Sequence, residues 1–84
     1  MKSRTTRSFR EAYRNLPPEI QERTKKAYRL WLENPNLPGL RYKRVGNSVS
    51  ARIGRTYRVL GKIEGDTVYW YWIGHHNQYD RLLS

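Results

Sequence analysis

The apolar residues of this chain change their spacing near its middle, and that change limits the folds that the chain can adopt. Before residue 34 they recur with the period of amphipathic helices, whereas after residue 48 they alternate with polar residues, as in strands. Helices followed by a run of strands are typical of an α+β domain. With 84 residues, the sequence predicts a single domain, residues 1–84, with one modest core.

The first half predicts two short helices. Residues 16–19 separate them, and residues 34–39 end the second. Ser8 is the expected N-cap of the first helix. Because the link between the helices is short, we expect them to pack as an antiparallel hairpin. The predicted apolar faces are Phe9, Ala12, Tyr13 and Leu16 in the first helix, and Ile20, Thr24, Ala27, Tyr28 and Trp31 in the second.

The second half predicts an antiparallel meander. Its strands cover residues 48–53, 57–63 and 68–73, with turns at residues 54–56 and 64–66. Residues 41–45 add a candidate fourth strand, residues 1–6 fit an edge strand or a tail, and residues 77–83 fit a short helical turn. We therefore predict an α+β fold in which an N-terminal helical hairpin packs on an antiparallel sheet of three or four strands.

The charge of the chain is strongly positive, with 17 lysines and arginines against 7 acidic residues and a net charge of +10. No acidic residue occurs between residues 34 and 63, where seven basic residues lie. This excess favours a polyanionic partner, either nucleic acid or an acidic protein. Neither a basic amphipathic helix nor a long apolar run indicates a membrane partner. The absence of cysteine fits a reducing cytoplasm.

Two arginines and two histidines are the candidate reactive groups. Arg52 and Arg58 flank one turn with the same parity, so a phosphate or carboxylate is expected between their side chains. His75 and His76 end the aromatic strand, and imidazole exchanges protons near neutral pH. If the strand continues through both, they point to opposite sides and at most one faces the arginines. Tyr79 nearby either orients a phosphate, stacks on a base or packs against the helices.

The aromatic run at residues 69–72 has two interpretations. Its side chains either stack on bases from an exposed sheet face or fill the core of a small domain. Because a strand alternates, only one pair, Tyr69 with Tyr71 or Trp70 with Trp72, can face the helices.

Other kinds of site are not indicated by the sequence. It has no Gly-rich phosphate loop, no Ser-His-Asp order, no paired catalytic carboxylates and no zinc-ligand spacing. The adjacent histidines and Asp80 are too few ligands for a metal. We therefore predict neither a metal nor a cofactor.

Six phrases, in their order along nearly the whole chain, resemble the RelE/ParE superfamily of type II toxin–antitoxin toxins. They are Phe9-x-x-Ala12-Tyr13-x-x-Leu16-Pro17, Ile20-Gln21, Asn34-Pro35, Ala51-Arg52-Ile53-Gly54, Tyr57-Arg58-Val59-Leu60 and Trp72-Ile73-Gly74-His75-His76-x-x-Tyr79-Asp80. The resemblance implies a cytoplasmic protein neutralised by a cognate antitoxin, which the charge of the chain predicts to be acidic. In the RelE branch it implies cleavage of mRNA on the ribosome, and in the ParE branch inhibition of gyrase without nuclease activity.

The RelE-like pattern also implies roles for individual residues. Its basic position before the turn matches Arg52, its strand arginine matches Arg58, and its C-terminal group matches His76 with Tyr79. The arginines would stabilise charge on the phosphate, and His76 would act as general acid toward the leaving 5′-oxygen. Tyr79 and a tryptophan or tyrosine would hold a base. The chain departs from the pattern because it has no obvious glutamate base and has histidines where some relatives use arginine.

Further basic residues near these positions are candidate RNA-binding groups. Lys43 or Arg44 matches an upstream basic position of the pattern, and Arg55, Lys62 and His75 complete the set. The sequence thus predicts a metal-independent, ribosome-dependent mRNA endoribonuclease that inhibits translation. The alternatives are a ParE-like gyrase inhibitor and a non-catalytic RNA-binding module.

Overall fold

The computed structural model describes residues 2–78, which form a mixed α+β fold with one five-stranded sheet. The elements are β1 (Lys2–Thr5), α1 (Arg7–Arg14), α2 (Pro18–Glu33), a 3-10 turn (Pro38–Leu40), β2 (Lys43–Val45), β3 (Ser48–Ile53), β4 (Tyr57–Glu64) and β5 (Thr67–His75). Residues 76–78 are helical and follow β5 directly. The predicted fold class is therefore confirmed. Within residues 2–78, no helix has the length and apolar character needed to cross a membrane.

Strands β2 to β5 form the predicted antiparallel meander, within the sheet order β1-β5-β4-β3-β2. The turns on either side of β4 lie at residues 54–56 and 65–66, where the sequence predicts them. Gly54 and Gly65 hold the backbone at φ values of 64° and 61°. Glycine adopts this left-handed conformation without the steric cost of a Cβ, so the two turns are encoded locally.

The sheet begins with a strand that precedes the helices, so the prediction of a leading helical hairpin on three or four strands is wrong. β1 pairs in parallel with β5 at one edge of the sheet. The Lys2 amide donates to the Asp66 carbonyl oxygen and the Thr6 amide to the Trp70 carbonyl oxygen, each at 2.9 Å. Main-chain hydrogen bonds hold this polar strand in place. Because such bonds do not depend on the side chains, the sequence of β1 shows no apolar alternation that would predict it.

Helix α1 begins directly after Thr6, so the prediction of Ser8 as its N-cap is wrong. The Thr6 hydroxyl accepts from the Phe9 amide at 3.3 Å and donates to the Trp70 carbonyl oxygen at 3.0 Å. Ser8 lies in the first turn, where its hydroxyl donates to the Tyr71 carbonyl oxygen at 2.8 Å. Pairing of β1 with β5 fixes Thr6 beside the sheet, and the helix starts from there.

The two helices spread over the sheet rather than packing along each other as predicted. α1 packs on β5 and α2 on β3. They are joined near their link, where the Gln21 side chain donates to the Tyr13 carbonyl oxygen at 3.0 Å and the Tyr13 hydroxyl donates to the Gln21 carbonyl oxygen at 3.3 Å. Their apolar faces are both directed at the sheet, because the sheet offers more apolar surface than either short helix.

The core lies between the helices and the sheet and is centred on Trp31, which is 4% exposed. Its ring meets the ring of Trp70 edge-on at 5.4 Å and the ring of Tyr42 at 5.9 Å. Burial raises the pKa of Tyr42, and the nearby charge of Arg44 partly opposes that shift. The strands contribute Val49, Ala51, Ile53, Val59, Ile63, Val68, Trp70 and Ile73 to this core.

A β-bulge sorts the aromatic residues of β5 between the two faces of the sheet. Leu60 pairs with Trp72 but Gly61 pairs with Trp70, so Tyr71 has no partner. As a result Trp70 lies in the core and Trp72 on the opposite face, and the prediction that the tryptophans share a face is wrong. A Cβ on Gly61 would lie 2.8 Å from the Trp70 ring, so the absence of a side chain there makes room for the indole.

Candidate functional site

The face of the sheet opposite α1 and α2, here called the outer face, is built from the alternate residues of each strand. In β3 the helix-side residues are Val49, Ala51 and Ile53, all buried. Their neighbours therefore point to the outer face. By the same alternation and pairing, the outer face carries Arg52, Arg58 and Gly74 in one row, Lys43, Ser50, Leu60 and Trp72 in the next, and Lys62, Tyr69 and Arg4 in a third.

The first of these rows brings the two predicted arginines together. Arg52 lies directly opposite Arg58, and Arg58 lies opposite Gly74. Side chains in such positions have Cβ atoms about 4.5–5.5 Å apart. Both arginines are half-buried, and Arg52 has no hydrogen-bond or ion-pair partner within residues 2–78. Like charges this close repel, and a phosphate bound by both guanidinium groups would remove that repulsion.

Gly74 has no side chain, and the side chains of Trp72 and Gln78 fill the space beside Arg58 that a Cβ would occupy. A Cβ on Gly74 would lie 2.6 Å from the Trp72 ring and 2.7 Å from the Gln78 side-chain oxygen. That oxygen also accepts from the His75 amide at 3.2 Å. The indole and the amide therefore close over Gly74 and form one wall of the arginine site.

The two histidine rings lie side by side at the end of β5, so the expectation that they point to opposite sides is wrong. β5 ends at His75, and His76 belongs to the helical turn that follows. The rings stack with centroids 4.6 Å apart, and the ring of Tyr57 meets that of His75 edge-on at 5.6 Å. The expectation holds only for a strand that continues through His76, and here the strand stops one residue earlier.

A single carbonyl group fixes His76. The His76 amide donates to the Thr56 carbonyl oxygen at 2.7 Å, and Nδ1 of its ring lies 3.3 Å from the same oxygen. Because a carbonyl oxygen only accepts, the hydrogen-bond network assigns the Nδ1 proton to the neutral ring. Nε2 is then the atom of His76 that can take up or release a proton. Thr56 lies in the turn between Arg52 and Arg58, so this anchor places His76 at the arginine end of the sheet.

The opposite tautomer is assigned to His75. Its Nδ1 accepts from the Asn77 amide at 3.2 Å, so the proton of the neutral ring is on Nε2. Its backbone pairs with Tyr57, which places it in register with the helix side of the sheet. Its contacts are those of a residue that holds His76 in position.

The other predicted residues are distributed unevenly. Lys43 and Lys62 share the outer face with the arginines. Arg44 has the opposite parity, pairs with Val49, and donates through Nε to the Gly46 carbonyl oxygen at 2.9 Å. Arg55 is exposed at the tip of the turn. Tyr79 lies outside the described residues.

Arg4 was missed by the sequence analysis as a residue of the outer face, and whether Trp72 lies there was left open. Arg4 lies beside Tyr69 because β1 joins the sheet, and Trp72 reaches this face because of the bulge. Alternation of Lys2 and Arg4 with hydroxyl residues was the only signal for the first. No sequence signal locates the second, since a bulge depends on how two strands pair.

The helix side of the sheet carries a separate apolar groove between α1 and α2. Its volume is about 460 Å³. The aromatic rings of Phe9, Tyr13, Tyr28, Trp31 and Trp70 line it, together with Arg10, Arg14 and Lys25. No acidic residue of the described chain lines this groove, so it combines an apolar surface with positive charge.

The sequence profile of the ParE-like toxin domain matches residues 18–81. The chain therefore belongs to this family of toxins, within the RelE/ParE superfamily of type II toxin–antitoxin toxins. No curated protein sequence matches the chain.

Solved structures show the same fold. The RelB–RelE complex of Methanococcus jannaschii matches with a TM-score of 0.69 and 20% identity over 95% of this chain and 98% of that one. The toxin–antitoxin complex RelBE2 of Mycobacterium tuberculosis matches with a TM-score of 0.66 and 29% identity over 88% and 95%. The isolated RelE toxin of E. coli matches with a TM-score of 0.67 and 13% identity over 99% and 98%.

Proposed function

We propose that the protein is a cytoplasmic toxin that cleaves mRNA on the ribosome without a metal and so inhibits translation. The observation that carries the proposal is the arginine pair, with Arg52 directly opposite Arg58 and His76 anchored on the turn between them. Two guanidinium groups and one imidazole would supply phosphate binding and proton transfer at one end of the sheet.

The reaction uses the RNA's own nucleophile. The 2′-hydroxyl attacks the adjacent phosphorus and loses its proton to water, so that the O2′–P bond forms while the P–O5′ bond breaks. Arg52 and Arg58 stabilise the charge that develops on the phosphate oxygens. Protonated His76 donates its Nε2 proton to the leaving 5′-oxygen, and the Thr56 carbonyl oxygen stabilises the charged ring through Nδ1. The products are a 2′,3′-cyclic phosphate and a free 5′-hydroxyl.

Cleavage of ribosome-bound mRNA, in a buffer that keeps the ribosome intact, by purified protein that has first been stripped of metal with EDTA tests this proposal. We expect cut mRNA with cyclic phosphate ends. Intact mRNA would contradict it.

Inhibition of gyrase is the second candidate function, and the match to the ParE-like toxin domain favours it. In that case the outer face would bind gyrase and no nuclease activity would exist. Intact mRNA together with inhibited DNA supercoiling would establish this alternative.

An acidic antitoxin is the proposed protein partner. Two of the similar structures are toxin–antitoxin complexes, and the net charge of +10 favours an acidic partner. We expect acidic residues of the antitoxin to cover Arg58 on the outer face and an amphipathic segment to occupy the apolar groove. Raising the salt concentration should slow association, because charge steers the encounter. An antitoxin that docks only on the helices and leaves Arg58 exposed would contradict this arrangement.

A further inference from the structure

The third row of the outer face, formed by Lys62, Tyr69 and Arg4 and here called the distal row, has no role in the reaction proposed above. Lys62 pairs with Tyr69 across β4 and β5, and Tyr69 pairs with Arg4 across β5 and β1. Neighbouring strands lie about 4.8 Å apart, so an aromatic ring has one cation on each side.

The side chains of the distal row make no polar or ring contact with the rest of residues 2–78. Lys62 and Arg4 are exposed and Tyr69 is half-buried. None of the three side chains has a hydrogen-bond, ion-pair or ring partner within residues 2–78. Tyr69 does not belong to the core, because its neighbours in the strand, Val68 and Trp70, point to the other face and supply the core there.

The distal row is aligned with the arginine row. Lys62 follows Arg58 by four residues on β4, which corresponds to about 13 Å along an extended strand. Leu60 and Trp72 lie between the two rows on the same face. The outer face thus presents cations in both rows and apolar or aromatic side chains between them, over a length that a single nucleotide does not span.

We propose that the distal row is a subsite for single-stranded RNA, which holds a nucleotide beyond the one whose phosphate lies at Arg52 and Arg58. Tyr69 stacks on the base, since aromatic side chains accept every base through its π-face. Lys62 and Arg4 bind the flanking phosphates. The inference rests on the proposed function, because it extends the same RNA along the sheet. An acidic protein segment would satisfy the cations, but it has no use for the ring between them.

Binding of short RNA to the full chain separates the two rows. The probes are fluorescein-labelled oligouridylates of two and six nucleotides with 2′-O-methyl groups, which cannot be cleaved. Their affinities are measured at low salt by fluorescence anisotropy. We expect Tyr69→Ala to weaken the six-nucleotide probe about 10-fold and to leave the two-nucleotide probe unchanged. The matched control is Tyr71→Ala, which removes a 40% exposed tyrosine from the bulge of the same strand.

Two more variants test the roles within the distal row. Tyr69→Phe keeps the ring and should keep the affinity, which separates stacking from a loss of folding. Arg4→Ala should reduce the slope of log affinity against log salt by about 0.7, the value for one phosphate contact on a single strand.

Failure of this inference differs from failure of the proposed function. If Tyr69→Ala and Tyr71→Ala changed the affinity for the six-nucleotide probe equally, the distal row would not be an RNA subsite, even if Arg58→Ala weakened both probes. Weaker binding of the antitoxin by Tyr69→Ala, with RNA binding unchanged, would assign the row to the protein partner and also overturn the inference. The proposed nuclease site would instead be contradicted if Arg58→Ala bound both probes as well as the unaltered protein does, and if the unaltered protein left mRNA intact.

Discussion

The two faces of one sheet in this molecule follow opposite rules. On the helix side, Ala51 and Val59 oppose each other in the apolar core. One residue further along β3, on the outer face, Arg52 opposes Arg58, where stability alone would favour opposite charges. The helix side therefore holds the fold together, whereas the outer face places two arginines opposite each other, where one phosphate can bind both. Substitutions on the two faces should have separable effects.

The largest effect, on the rate of mRNA cleavage, is expected from a change at His76, if the arginine end of the sheet is a catalytic site. His76→Gln removes the group that exchanges protons but keeps an amide that can bond to the Thr56 carbonyl oxygen. Cleavage should fall by roughly 10²–10⁴-fold, as for loss of a general acid, while ribosome binding stays nearly unchanged. Single-turnover cleavage and a separate ribosome-binding assay measure the two quantities.

His75→Gln is the matched control for this change. The His75 ring stacks on His76, meets the Tyr57 ring edge-on and accepts from the Asn77 amide. Because it transfers no proton in the proposed reaction, His75→Gln should lower cleavage less than His76→Gln and should leave the shape of the pH profile unaltered. Loss of cleavage in His75→Gln alone would exchange the roles of the two rings. If neither change affects growth inhibition in cells, the toxicity does not use histidine chemistry, and a binding mechanism accounts for it.

The helix side should show its largest effect at Trp31. Trp31→Ala opens a cavity beneath Trp70 and should lower the free energy of unfolding by about 3–5 kcal/mol. Arg52→Ala, on the outer face, should change it by no more than about 0.5 kcal/mol, because the Arg52 side chain has no hydrogen-bond or ion-pair partner within residues 2–78. Urea unfolding followed by circular dichroism measures both. A loss in Arg52→Ala as large as that in Trp31→Ala would remove the distinction between the faces.

The bulge can be tested with two glycines. Gly61→Ala places a methyl group 2.8 Å from the Trp70 ring and 3.0 Å from Val49 and Val68. Overpacking of this kind should cost about 1–3 kcal/mol of unfolding free energy. Gly39→Ala is the control, since its Cβ meets nothing within 4 Å. Equal stability of the two variants in the same unfolding experiment would show that the indole can move aside.

The sequence predicted those features that depend on neighbours along the chain. Alternation predicted the meander, and the same parity predicted that Arg52 and Arg58 share a face. Features that depend on distant partners were left open or missed. Residues 1–6 stayed open between an edge strand and a tail, because β1 is held by hydrogen bonds from the Lys2 and Thr6 amides to the Asp66 and Trp70 carbonyl oxygens. The end of β5 was missed, and there the His76 amide donates to the Thr56 carbonyl oxygen.

The candidate site shows the same division. The arginine pair follows from a period of two residues and could be predicted. Arg4 could not be placed, because its position depends on a parallel pairing over 60 residues away in sequence. The positions of Trp72 and of the stacked histidine rings depend on one bulged residue and on one strand end. Single-residue shifts of this kind reverse the face of every later side chain.

The smallest expected effect is at the start of α1, where Thr6 and Ser8 donate hydrogen bonds to carbonyl oxygens of β5. Thr6→Ala removes the N-cap acceptor for the Phe9 amide and the donor to the Trp70 carbonyl oxygen. It should lower the free energy of unfolding by about 1 kcal/mol. Ser8→Ala removes the exposed hydrogen bond to the Tyr71 carbonyl oxygen and the contact with the Thr6 hydroxyl, and should cost about half as much. A larger loss in Ser8→Ala than in Thr6→Ala, measured by urea unfolding, would show that the helix begins at Ser8 in solution, as its sequence alone suggests.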